Sequence, residues 1–244
     1  VVAVIHWFDQ LESTNRTAQS TDFGHGDVIA TSNQTAGRGR MDRMWSMDPG
    51  VGVALTVVIS RTAVGSPLHL TRLPLSTAAG LARIIADFAP DGVNVAVKWP
   101  NDVLIGGRKV AGILIESLDT DRLAIGIGIN LTGVPDGLLA DTATSLSAEG
   151  VSLAAATLVP ALAESVLHRA QGVDEDMLLA DLYNAIDTIG RQVRIELPDG
   201  RFVTGRATAL GTTGSLIVDT GHGTEELVAG DVTHLRLGSD ESVR

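Results

Sequence analysis

The sequence predicts a mixed α/β (α+β) protein: an antiparallel sheet backed by helices, followed by a small antiparallel barrel of SH3-like size. From Val4 to about Asp187, apolar strand-like runs mix with alanine-rich helical stretches. From Val193 to Leu237, short strand-like runs are separated by glycine turns. The pattern changes near Gly190, so the expected domains are residues 1–189 and 190–244. A chain of 244 residues with 44% hydrophobic content has enough apolar side chains for a sizeable core.

In chain order, His6-Trp7-Phe8 reads as a strand, and Ser13-Thr14-Asn15 leads into a polar helix candidate where hydroxyl and amide side chains commonly cap. Val51 to Ile59 is the next strand. Ala78, Leu81, Ala82, Ile85 and Phe88 recur at helical spacing, with Pro74 in the first turn and Asp91-Gly92 as the stop. Val93 to Trp99, Lys109 to Glu116 and Leu123 to Asn130 are strands, joined by connections short enough for antiparallel hairpins. Leu153 to Ala170 reads as a second helix, and Asp174-Glu175-Asp176 as a helix N-terminus or a solvated surface. In the tail, Pro198-Asp199-Gly200, Gly211-Thr212-Thr213-Gly214 and Gly221-His222-Gly223 are turn signals at the spacing of a small barrel.

Alternation along the strands begins to point at chemistry. It places Val93, Val95, Val97 and Trp99 on one side and Asn94, Ala96 and Lys98 on the other. In Leu123 to Asn130 the leucine and isoleucines form one face, leaving Ala124, Gly126, Gly128 and Asn130 on a nearly smooth opposite face. Glycine weakens a strand, so two on one face mark a close approach by another element or by a ligand.

Composition removes several function classes. A net charge of −11 argues against holding nucleic acid by phosphate neutralisation. With no cysteine there is no disulfide, thiolate nucleophile or cysteine–zinc site. The six histidines never pair at helical metal-ligand spacing, so no protein metal site is expected. Neither a Gly-x-x-x-x-Gly-Lys-Ser/Thr phosphate loop nor a Gly-x-Ser-x-Gly nucleophile turn occurs. No apolar run is long enough to span a bilayer, and Val1-Val2-Ala3-Val4-Ile5 lacks the form of a secretory signal, so a cytoplasmic location is expected.

Two segments stand out. Only two lysines occur, Lys98 and Lys109, against sixteen arginines, and both lie in burial-prone sequence. Lysine retained so sparingly marks places that need a compact ammonium. The second segment, Gln34 through Trp45, concentrates three arginines, Arg38, Arg40 and Arg43, between glycines. Glycine lets amides face a bound oxygen and arginine grips phosphate or carboxylate bidentately, although a solvated arginine-rich turn has the same composition. Trp45 reads either as a core anchor or as a surface for stacking a purine. With no covalent nucleophile apparent, what remains is cationic positioning of anions, which suits attack of a carboxylate on a nucleotide α-phosphate.

Ser13-Thr14-Asn15, Gln34 with Gly37-Arg38-Gly39-Arg40, Lys98-Trp99-Pro100-Asn101-Asp102, Lys109-Val110-Ala111-Gly112-Ile113-Leu114 and Gly126-Ile127-Gly128-Ile129-Asn130 together resemble the biotin–protein ligases, in the family's order and over almost the whole chain. The Lys98–Asp102 segment followed by the Lys109 strand is the most specific part. The resemblance implies a first domain related to class II aminoacyl-tRNA synthetases, with a mixed sheet and helices, then an SH3-like barrel. It implies two steps: biotin and magnesium-ATP give biotinyl-adenylate and pyrophosphate, and a lysine of a biotin carboxyl carrier domain of an acyl-CoA or pyruvate carboxylase then displaces AMP.

Carried over by residue, the resemblance assigns biotin binding to Ser13, Thr14, Asn15, Gln34, Gly37, Arg38, Gly39, Lys109, Gly112, Ile113, Gly126 and Gly128. Nucleotide binding falls to Arg38, Arg40, Arg43, Trp45, Lys98, Asn101, Lys109 and Asn130. Lys109 is the principal catalytic cation, with Arg38, Arg40, Lys98 and Asp102 also in the catalytic set. Lys98, Asn101 and Asp102 serve nucleotide or metal binding and the acceptor step. One departure is Asp42, where the family usually has glycine, which should weaken the loop's positive potential and restrict its closure. No residues correspond to the N-terminal helix-turn-helix of repressor members, so the monofunctional type is expected, as a monomer or weak homodimer. The alternatives are a lipoate or octanoate ligase or transferase on the same fold, and a non-catalytic biotin-binding module.

Overall fold

A computed structural model describes residues 2–41, 43–134, 142–172 and 174–235. The chain runs β1 (Val4–Phe8), α1 (Thr14–Thr17), β2 (Asp27–Thr31), β3 (Gly37–Arg38), β4 (Met44–Trp45), β5 (Gly52–Ser60), α2 (Pro67–Ala86), β6 (Val95–Lys98), β7 (Asp102–Ile105), β8 (Arg108–Ser117), β9 (Arg122–Asn130), α3 (Ala155–Gln171) and α4 (Glu175–Ala185). It then forms β10 (Gln192–Glu196), β11 (Phe202–Leu210), β12 (Leu216–Asp219), β13 (Thr224–Leu227) and β14 (Asp231–His234).

Seven strands make the main sheet, in the order β1-β2-β5-β9-β8-β7-β6. All its pairs are antiparallel except β1 with β2. The sheet is therefore mixed: the long segment carrying α1 lets the chain cross over and return parallel. The interior strand β5 is buried on both sides, which its almost uninterrupted apolar sequence requires.

Helices α2, α3 and α4 cover one face of this sheet. Val53, Leu55, Val57 and Ile59 of β5 and Leu123, Ile125, Ile127 and Ile129 of β9 join Leu81 and Ile85 of α2 and Leu158, Leu162 and Val166 of α3 in one core. Each such side chain stabilises the fold by about 1.5–3 kcal/mol on burial. The opposite face carries α1, which packs on β2, β5 and β9, and a small cluster of Ala18, Ile29 and Val58. Between that cluster and β6, the second face is left for the site.

Three expectations need correction. β7 was not foreseen: four residues following Pro100-Asn101 lie in what reads as a loop between two longer strands. The helix expected to begin at Pro74 starts at Pro67, where Ser66 Oγ accepts from His69 N–H and proline sits in the first turn. Pro74 lies inside that helix, its usual cost of about 3 kcal/mol outweighed by the burial around it. Phe88 lies beyond the helix end and is exposed. The strand expected from Val93 starts at Val95 because Val93 N–H closes a turn on Pro90 O.

The tail is a five-stranded antiparallel sheet, β13-β12-β11-β10-β14, with Val193, Ile195, Val203, Ala207, Leu216, Val218 and Val232 inside. The three turn signals connect β10 to β11, β11 to β12 and β12 to β13. This sheet docks against the first through Trp99, whose backbone N–H donates to Thr188 Oγ1 (2.9 Å) and whose indole N–H donates to Gly214 O (2.9 Å). Among the described residues no helix is long and apolar enough to cross a membrane.

Candidate active site

A cleft of about 810 Å³ opens on the face of the main sheet away from α2 and α3. Its floor is Gly126, Gly128 and Asn130 of β9 and the matching positions of β8, Gly112 and Leu114. Strict alternation from those positions would turn Lys109 into the core. A bulge between β7 and β8 prevents this: Val103 pairs with Ala111 and Leu104 with Lys109, leaving Val110 extra. Val110 and Ala111 are both buried in the core, and Lys109 is re-aimed into the cleft.

Both lysines meet one carboxylate. Asp102 Oδ1 lies 2.7 Å from Lys109 Nζ and Oδ2 lies 3.3 Å from Lys98 Nζ. Burial of Asp102 would raise its pKa, yet the two ammonium groups and their hydrogen bonds outweigh it and hold the carboxyl below its ordinary value. The triad carries a net single positive charge at the cleft wall. Lys109 Nζ also stands 5.6 Å from the centroid of the Trp45 ring.

The arginine loop is anchored at several points. Gly37 and Arg38 pair with Trp45 and Met44 as a two-stranded ribbon, and Gly39 N–H donates to Arg43 O. Arg40 Nη1 donates to Asn101 Oδ1 and to Gly230 O, both at 3.1 Å, and Arg43 Nη1 lies 2.6 Å from Asp231 Oδ2. Two of the three guanidinium groups are thus tied to the tail sheet. Arg38 Nη2 instead donates to Glu116 Oε2 at 2.9 Å. Asp42 lies outside the described residues.

At the other end sits a buried polar cluster. Gln34 Oε1 accepts from Thr14 N–H (2.9 Å), and Thr56 Oγ1 lies 2.8 Å from Thr14 Oγ1 and 2.6 Å from Asn15 Oδ1. Asn15 Nδ2 donates to Glu116 Oε2 at 2.7 Å. Ser13 occupies the N-cap position of α1 without making a capping side-chain bond.

Every residue given a binding or catalytic role from the sequence lines this cleft except Gly37, which is packed behind it against Gln34 and Trp45. Ile113 contributes main chain only, since its side chain belongs to the core and its N–H and C=O bond Asn101. Asn130 Nδ2 donates to Thr144 O (2.9 Å) and so shapes the rim. The smooth face is covered by protein at two points: a Cβ on Gly126 would overlap Asn15, and one on Gly128 would overlap the Trp45 indole. Among the described residues, Trp45 Nε1 is buried and has no hydrogen-bond partner.

Thr56, Glu116 and, from the tail junction, Asp187, Arg191, Asp231 and His234 were not foreseen. Thr56 was visible as the one hydroxyl inside the apolar run of β5, and Glu116 as the continuation of the Gly112 face. Burial first, then Arg191, pushes the His234 pKa down to about 4 against the opposing pull of Asp187, so His234 is neutral at pH 7.

Residues 7–131 match the family model of the biotin/lipoate A/B protein ligases, and residues 188–235 match the biotin protein ligase C-terminal domain. A biotin–[acetyl-CoA-carboxylase] ligase of Mycobacterium tuberculosis is 37% identical over 93% of this chain and 87% of its own length. The chain belongs to the biotin protein ligase family. Among solved structures, the biotin protein ligase of Aquifex aeolicus in complex with biotin and ATP superimposes with a TM-score of 0.77 at 23% identity, covering 95% of this chain and 98% of that one. The biotin protein ligase of Leishmania major in complex with biotinyl-5-AMP gives 0.66 at 25% identity, covering 92% and 98%. The fold is therefore the biotin protein ligase fold, which is class II synthetase-like, and the match of the tail to a biotin ligase domain separates the chain from the lipoate alternative.

Proposed function

We propose that this biotin protein ligase family member activates biotin with ATP and transfers it to a lysine of a biotin carboxyl carrier domain of an acyl-CoA or pyruvate carboxylase. The observation that carries the reading is the Lys98–Asp102–Lys109 triad beside a glycine-floored cleft, with an arginine loop across its mouth. In the first step a biotin carboxylate oxygen attacks the α-phosphorus, the bond to the bridging oxygen breaks, and pyrophosphate leaves with its magnesium. Two unit negative charges 4 Å apart repel by about 4 kcal/mol at an effective dielectric of 20. The Lys109 ammonium, free of competing solvent on its Asp102 side, lies between the two reactants and cancels this repulsion most strongly where charge builds up. In the second step the acceptor amine attacks the mixed-anhydride carbonyl and AMP departs.

In this assignment Thr14, Asn15 and Gln34 face the biotin ring system, Arg38 and Arg40 face the phosphates, and Trp45 and Asn130 lie toward the adenine. Gly112, Gly126 and Gly128 receive the flat ring once Asn15 and Trp45 yield. Magnesium enters with ATP as part of the substrate. We assign residues 1–189 to the ligase domain and 190–244 to a C-terminal domain, the chain to the cytoplasm, and its solution state to a monomer or weak homodimer that does not bind nucleic acid.

The test is incubation of the purified chain with magnesium-ATP and either biotin or lipoate, read by mass spectrometry. Biotinyl-adenylate alone is expected. Lipoyl-adenylate in its place, or neither product, would overturn the assignment.

A further inference from the structure

We propose that Glu149 is a positioning residue for Lys109, holding from behind the cleft wall the main chain that aims the ammonium. The inference rests on the biotin ligase reading of the cleft and deepens it. β9 ends at Asn130, and Ala111 is the first residue of β8 to pair with it, opposite Ile129. Lys109, two residues earlier, lies beyond the end of that pairing. Its N–H donates instead to Thr142 O and its C=O accepts from Thr144 N–H, both at 2.8 Å, so Lys109 bridges Ala143 in parallel. On its other side it pairs with Leu104 at the bulge. The direction of a strand side chain follows its backbone, and here neither neighbour is a regular ladder. The aim of Lys109 therefore depends on what holds residues 142–144 in place.

Two anchors do so. Asn130 ties the segment to the end of β9, its Nδ2 donating to Thr144 O at 2.9 Å and its C=O accepting from Leu146 N–H at 3.0 Å. Glu149 ties it to the start of β8: its Oε1 accepts from Thr144 Oγ1 at 2.5 Å and from Arg108 Nη2. One carboxylate oxygen thus joins the residue just before Lys109 to the residue whose N–H meets the Lys109 carbonyl. Thr144 is buried and Glu149 nearly so, and neither borders the cleft. Hydrogen bonds to an ionised acceptor are strong in such surroundings. Arg108 is half exposed, so its pair with Glu149 adds little to global stability. What Glu149 supplies is position. Lys109 has to stand between two anions as they react, and a misplacement of about 1 Å at such a group costs on the order of 10²-fold in rate.

The experiment measures kcat for biotin-dependent pyrophosphate release and the biotin dissociation constant by titration calorimetry. The proteins are the wild type, Glu149→Ala, Thr144→Val, Lys109→Ala, and Lys109→Ala combined with each of the other two. Glu149→Ala severs both ties and is expected to lower kcat about tenfold, while biotin affinity changes by less than about twofold because the ring pocket lies at the other end of the cleft. Thr144→Val cuts one tie and should lower kcat about threefold. Arg108 borders the cleft itself, so an effect carried by its own charge has to be told apart from one carried by Lys109. On the Lys109→Ala background no ammonium is left to aim, and either second substitution should then cost less than about twofold further. Unchanged kcat in the two single variants would overturn the role, as would losses on the Lys109→Ala background as large as those on the wild type. Thermal unfolding identifies a Glu149→Ala protein that does not fold, and Thr144→Val on the two backgrounds then decides by the same comparison. A wild type that forms no biotinyl-adenylate would overturn the functional assignment itself, and the role of Glu149 with it.

Discussion

Asp102 concentrates the electrostatics of the cleft on one buried carboxylate, so its removal and that of its partner have different signatures. Lys109→Ala is expected to lower biotinyl-adenylate formation by about 10²–10³-fold, the usual cost of one preorganised charge, with a smaller loss of biotin affinity. Pyrophosphate release and biotin titration on the same preparation would check it; wild-type turnover would remove Lys109 from the chemistry. Asp102→Asn leaves two ammonium groups facing each other without their anion and should cost about 3–5 kcal/mol of stability at neutral pH. The folded-state pKa of Asp102 is depressed, so its contribution is complete above the unfolded value near 3.8 and is lost as pH falls through the lower folded value. Urea unfolding of wild type and variant from pH 7 downward should therefore show a gap that is constant above about pH 3.8 and narrows only below it. A gap that stays constant below that pH as well would mean that packing, not charge, is what Asp102 supplies.

At the level of elements, β8 and β9 were legible in part. The period-two alternation of β9 exposed its glycine face directly, because Leu123, Ile125, Ile127 and Ile129 go to the helix-backed core and Gly126 and Gly128 to the opposite side. The aim of Lys109 was not legible, since it depends on a bulge at Val110 that no local residue announces, and β7 was hidden by its brevity. Glu116 was missed for a related reason: it accepts from Asn15, about a hundred residues earlier in the chain, and only the folded sheet brings the two together. Why glycine is needed on β9 also emerged only from the fold, where Asn15 and Trp45 lie against it. Gly128→Ala is accordingly expected to displace the Trp45 indole, cost about 1–3 kcal/mol by overpacking, and weaken biotin binding at least tenfold. Thermal unfolding and acrylamide quenching of tryptophan emission would report both effects; an unaltered quenching profile with normal biotin binding would show that the loop end does not need that face.

Over the whole molecule, charge separates two kinds of anion recognition. With a net charge of −11 the chain should give no gel shift with duplex DNA at physiological salt, even though its cleft gathers cations, because phosphate neutralisation along a duplex needs a broad basic face. The two sheets meet across that cleft through the arginine loop. Arg43 pairs with Asp231 at 2.6 Å and lies 3.8 Å from Glu196, while Arg40 reaches Gly230 O, so β10 and the start of β14 hold the loop that faces the substrates. Sequence patterning placed the loop and the tail in separate units and contained no signal for this contact, which pairs residues nearly two hundred positions apart. Arg43 is half exposed, so the pair adds under about 1 kcal/mol to global stability. Its effect belongs to loop position instead. Asp231→Ala should leave the unfolding midpoint within a few degrees of the wild type, yet raise the KM for ATP several-fold and speed proteolytic cleavage between Arg38 and Arg43, with high salt moving the wild type in the same direction by screening. Unchanged cleavage and ATP kinetics in Asp231→Ala would mean that the ribbon of β3 and β4 holds the loop unaided, and the tail sheet would then serve only as a wall of the cleft.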